Sequence, residues 1–225
     1  MKRMSCVLAL LMLGFASPAS AQMGMGQFKN PSFTKVFHPV IGKGAQYETT
    51  TKIGPDSKTH TMEMGIVGKE TVDGIDGYWM QTVMQGSKGT MVTKALLTSG
   101  DVQVRKIVFQ QPGQTAMEMP MNPNVMQKQK AEETMQDWHS VGTEAVTVPA
   151  GTFSCEHWKN DKTGSEVWAS DKISPFGMVK EVSKDHSMVL VKVLSDYPDK
   201  ITGPVQKFDP MQMMQQMQQQ KQQNP

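Results

Sequence analysis

The chain has 225 residues, with 23 Lys and Arg against 21 Asp and Glu, and only 2 cysteines. That balance removes the case for a nucleic-acid binder, which needs an excess of basic residues to displace counterions from phosphates. Nor is there a dense basic block to suggest an anionic membrane surface.

The first element is a leader. Lys2 and Arg3 precede the apolar run Val7–Phe15, and Pro18 then leads to Ala19-Ser20-Ala21. Charge, apolar core and small-x-small site follow the order of a secretory signal peptide, so residues 1–21 are expected to be cleaved after Ala21. The apolar run is far short of the roughly 20 residues that span a bilayer, and no other segment of the chain approaches that length. Cys6 precedes the apolar run and is out of place for lipid attachment. The mature chain is then formally neutral, because the 23 basic residues less Lys2 and Arg3 equal the 21 acidic ones. Cys6 leaves too, so Cys155 stays without a disulfide partner.

Residues 22–44 are rich in Gly, Pro, Asn and Phe without a period, as in a flexible arm. From Ala45 the texture is that of strands. Tyr47–Ile53 is β-branched and closes on Gly54-Pro55-Asp56, while Met62, Met64 and Ile66 alternate with Thr61, Glu63 and Gly65. Turns at Val72–Gly77, Gly86–Gly89 and Ser99–Asp101 separate Tyr78–Met84, Thr90–Thr98 and Val102–Gln110. Such spacing predicts an antiparallel meander. Val125–Met135 has good helix formers and no Gly or Pro, and predicts a short helix. Strand texture returns at Trp138–Val148, Thr152–Lys159, Ser165–Ala169, Met178–Ser183 and Met188–Leu194. Residues 201–225, with Met211–Met217 and the glutamines beyond, form a low-complexity tail that buries too little to order itself. That tail is a candidate docking segment for another envelope protein.

Catalytic spacing is missing. His38, His60, His139, His157 and His186 show no i, i+4 pair, and there is no phosphate loop, nucleophile elbow or Cys-x-x-Cys. Cys155 shares strand parity with Phe153 and His157, which allows an activated thiolate, but a free Cys is more often a small buried apolar residue. The sequence therefore reads as no enzyme, with no cofactor implied.

Methionine is the unusual component, 21 in all. His60, Met62 and Met64, with Met117, Met119 and Met121, are a candidate soft-ligand set for Cu(I) in an exported protein. The competing explanation is that Met fills irregular apolar gaps.

Val148-Pro149-Ala150-Gly151-Thr152-Phe153-Ser154-Cys155, Glu166–Ser170 and Ser174-Pro175-Phe176-Gly177-Met178-Val179-Lys180 carry a more specific order. Together with Gly44–Glu48, Val67–Glu70 and Gly77-Tyr78-Trp79, this resembles uncharacterised exported bacterial families with a LolA/LolB-like fold, that of periplasmic lipoprotein carriers. The resemblance implies a domain over residues 45–200 of α+β class, mainly β: an open, strongly curved antiparallel sheet, or half-barrel, with one or two helices on its concave face. It also implies an apolar groove for a lipid, acyl chain or lipoprotein, and a periplasmic rather than fully secreted location. Trp79, Met80, Leu96, Phe109, Val189 and Val191 are the candidate groove lining. The carriers' basic residue and loop have no counterpart here. Copper handling and an envelope scaffold stand as alternative functions.

Overall fold

Alternating side chains and tight Gly-containing turns dictate the layout. A computed structural model describes residues 37–86, 89–99, 102–119 and 137–207. The first half is a meander: β1 (Gly44–Ile53), β2 (Asp56–Val72), β3 (Ile75–Gly86), β4 (Gly89–Thr98), β5 (Val104–Gln110) and β6 (Ala116–Met119). The second half adds β7 (Trp138–Val148), β8 (Gly151–Asn160), β9 (Glu166–Ala169), β10 (Met178–Val182), β11 (His186–Leu194) and β12 (Val205–Lys207). All belong to one sheet, in the order β12-β6-β5-β4-β3-β2-β1-β11-β10-β9-β8-β7. Neighbours are antiparallel except β12, which runs parallel to β6 within the 201–225 stretch.

The two halves join where β1 pairs with β11, Tyr47 opposite Leu190 and Thr49 opposite Met188. Tyr47, Met62, Met64, Ile66 and Met80 pack with Val167, Met178, Met188 and Leu190 in one buried cluster. Side chains from distant strands meet there, and β7 also touches β10 and β11, so the sheet curls around this inner face. Five of the methionines singled out by composition are core residues: Met62, Met64, Met80, Met178 and Met188 are each 5% exposed or less. Burying each such side chain contributes roughly 1.5–3 kcal/mol.

The α+β expectation is corrected. Among the described residues there is no α-helix on the concave face or anywhere else. The space is filled by the strands' own large side chains and by the β9–β10 loop, whose Ile173 and Phe176 are 1% exposed. Phe37 closes the same end, its ring 5.2 Å from Phe176 and 6.5 Å from Tyr78. The helix expected at 125–135, the leader, residues 22–36 of the arm and the stretch from 208 onward lie outside the described residues. No helix among the described residues is long and apolar enough to cross a membrane.

The outer face of β2–β6 has its own smaller cluster. Val83, Val92, Val108 and Ala116 are covered by Tyr197 and Ile201 from the chain between β11 and β12. This strap is pinned by Gln81, whose amide nitrogen donates to Pro198 O (3.1 Å) and whose amide oxygen accepts from Lys200 N (2.8 Å). Lys94 pairs with Asp199 beside it.

Candidate functional site

Strand alternation decides which residues share a surface. Across β3–β6 the register sets Met84 opposite Met91, Phe109 opposite Thr93 and Met117, and Ile107 opposite Ala95 and Met119. All therefore lie on the inner face, continuing the row that Met80 and Ala95 occupy in the core. Unlike Met80 and Ala95, they are open. Met84, Met91, Ile107, Phe109 and Met117 are part-exposed, and Met119 is 37% exposed. The result is a shelf of four methionines, an isoleucine and a phenylalanine on four neighbouring strands, beside a packed core.

The candidate groove residues are not brought together. Met80 and Phe109 lie on the inner face, Met80 fully buried in its cluster and Phe109 on the shelf. Trp79 and Leu96 are cross-strand partners on the outer face, where Trp79 packs against the Val83 cluster. The Trp79 ring is held there by donation to Glu70 (2.9 Å), with the Lys94 ammonium 5.3 Å from its centroid. Val189 points opposite to Met188 and Leu190, and Val191 falls at the bulge in the β1–β11 register. Adjacent positions such as Trp79 and Met80 cannot line one surface of a strand. Met91 and Ile107 escaped the sequence reading, although the Gly86–Gly89 turn already sets Met84 across from Met91.

The candidate copper set separates too. Met62 and Met64 are buried in the inner cluster while His60 is exposed. Met117 and Met119 sit on β6, four strands from β2, roughly 19 Å along the sheet. Met121 lies outside the described residues. Among the described residues no three His, Cys, Asp or Glu side chains are grouped to hold a metal.

Two polar constellations remain. On β10, Glu181 faces inward opposite Met188 and Val167, and burial alone pushes its carboxyl up to about 7. Its Oε2 has no hydrogen-bond partner among the described residues. His186, on the same face of β11, is lowered by burial, with Nδ1 3.4 Å from Thr51 Oγ1 and Nε2 unpaired among the described residues.

On the other side, His157 lies between two carboxylates, Nδ1 3.0 Å from Glu144 and Nε2 2.9 Å from Glu166. Its ring stacks on Trp168 with centroids 4.4 Å apart, and the Trp168 indole donates to Glu144. Both nitrogens are thereby occupied, which ties β7, β8 and β9 together and leaves neither aimed at Cys155. The Cys155 thiol is buried, and burial together with nearby Glu144 pushes it up to about 11. Such a thiol is a poor nucleophile.

No family model matches the chain, and no curated protein matches it. Among solved structures it is similar to a candidate lipoprotein from Parabacteroides distasonis, at 15% identity and TM-score 0.38, over 70% of this chain and 97% of that one. It is also similar to a candidate exported protein with a YmcC-like fold from Bacteroides fragilis, at 13% identity and TM-score 0.37, over 70% of this chain and 98% of that one. At these scores neither likeness assigns a fold or an activity.

Proposed function

We propose that this chain is an exported, non-catalytic binding protein that holds the acyl chain of a lipid or lipoprotein against the inner-face shelf. The observation that carries this reading is the shelf itself: Met84, Met91, Ile107, Phe109, Met117 and Met119 share one face, and although Met84 packs against the core cluster, all six keep part of their surface exposed. Flexible thioethers adapt to a chain of varying shape, and each methylene withdrawn from water contributes about 0.8 kcal/mol. Export rests on residues 1–21, and the resemblance to lipoprotein carriers favours a periplasmic site of action.

The test is titration of delipidated full-length protein with a fluorescent acyl probe, alongside mass spectrometry of lipids that co-purify after export. Probe binding weakened severalfold by Phe109→Ala is the expected result. No binding by the unaltered protein would end the reading. Intact mass of the exported product, starting at Gln22, checks the leader separately.

A further inference from the structure

We infer that the shelf methionines are an oxidative modification site through which peroxide or hypochlorous acid switches off guest binding while the fold stays intact. The inference rests on the acyl-binding reading above and names its regulation.

The observation is a partition of one residue type by exposure. Met62, Met64, Met80, Met178 and Met188 are 5% exposed or less, inside the inner cluster. Met84, Met91 and Met117 are part-exposed on the same face of the sheet, and Met119 is 37% exposed. An oxidant dissolved in water therefore reaches the shelf without the protein unfolding, but reaches the core only when it opens.

The step is self-contained. The thioether sulfur attacks one oxygen of hydrogen peroxide, a sulfur–oxygen bond forms as the O–O bond breaks, and the departing hydroxide takes the proton from that oxygen and leaves as water. Sulfur is oxidised to the sulfoxide and peroxide is reduced. With hypochlorous acid the leaving species is chloride and the oxygen comes from the acid or from water.

The product is a strong hydrogen-bond acceptor set among Ile107, Phe109 and the remaining thioethers. Burying it under an acyl chain costs its hydration, and apart from the Thr93 hydroxyl opposite Phe109 the shelf's side chains offer no donor in return. Guest affinity falls while the core, which supplies stability, is unchanged. Because a sulfoxide is reducible by methionine sulfoxide reductases, the switch is reversible.

The experiment treats full-length protein with graded hydrogen peroxide, then follows three readouts: oxidation of each methionine by peptide mass spectrometry, thermal midpoint, and acyl-probe affinity. Met84, Met91, Met117 and Met119 should oxidise well before Met62, Met64, Met80, Met178 and Met188. Affinity should drop about tenfold or more with the midpoint held. Methionine sulfoxide reductases A and B with reductant should restore it. In Met84→Leu/Met91→Leu/Met117→Leu/Met119→Leu protein, oxidant should shift affinity by less than about twofold from that variant's own starting value.

Core and shelf oxidising in step, or oxidised protein binding as before, overturns the inference while leaving the binding reading in place. Untreated protein that binds no probe overturns both, and is told apart by its missing baseline.

Discussion

The ring of Tyr197 occupies the space that a side chain at position 65 would need: a Cβ there would stand 2.4 Å from its Cδ1. Gly65 is buried on β2 beneath the strap, and Lys43 O lies 3.0 Å away on another side, so the ring cannot simply be accommodated. Gly65→Ala should therefore destabilise the protein by about 1–3 kcal/mol. Urea unfolding measures it. An unchanged midpoint would mean the strap does not press on β2 as described.

Gln81 makes the complementary case for polar anchoring. It is fully buried and satisfies two backbone groups of the strap. Gln81→Leu keeps the volume but strands Pro198 O and Lys200 N, costing about 1–3 kcal/mol for each group left unpaired, less whatever water recovers. Hydrogen exchange should rise at Lys200 and its neighbours before it rises in β10 and β11.

Glu181 predicts a pH dependence of defined sign. Its carboxyl is raised from 4.5 to about 7 in the folded state by burial. Stability from this group is fully present below about pH 4.5, declines as pH rises through about 7, and is flat above. The loss amounts to about 3 kcal/mol at most. His186 is lowered by burial and acts in the opposite sense: its contribution is present above its ordinary 6.5 and lost as pH falls. Glu181→Gln should be more stable than the parent at pH 8 and should leave only the His186 branch. Chemical denaturation from pH 4 to 9 separates the two, and a parent curve identical to that of Glu181→Gln would refute the assignment.

The His157 cluster is exposed enough for its charges to be screened. Glu144 is 52% and Glu166 30% exposed, so Glu166→Gln should change stability by less than about 1 kcal/mol. Trp168→Ala removes the surface on which His157 stacks and which packs on the core, and should cost about 2–4 kcal/mol. Equal effects for the two substitutions would show that charge rather than packing holds β7 to β9.

Strands were the legible part of the sequence. Trp138–Val148 is β7 to the residue, Thr90–Thr98 begins one residue inside β4, and the turn at Val72–Gly77 contains the β2–β3 connection. Short strands that depend on partners were not legible: β6 has four residues and β12 three, and each is held by the neighbour it pairs with. Faces were harder still. Trp79 and Met80 are adjacent on β3 and Leu96 pairs with Trp79, so a list of apolar residues mixes the two sides, and the bulges that skip Val67 on β2 and Arg105 on β5 reverse the parity of those strands besides. The helices that the resemblance implied on the concave face are absent among the described residues for a different reason, since that face is filled by the strands' own side chains and by a loop, with Ile173 and Phe176, whose sequence has no period to read.

The strap also makes this molecule thermodynamically layered. It leaves β11 through Asp196, held at φ 56°, and its apolar grip is confined to the smaller outer cluster. Release of that grip uncovers Val83, Val92 and Val108 without disturbing the pairing of β1 with β11 that joins the two halves. Among the described residues, the strap is thus the unit expected to open first, exposing a site for proteolysis on a protein still folded around its methionine-rich centre.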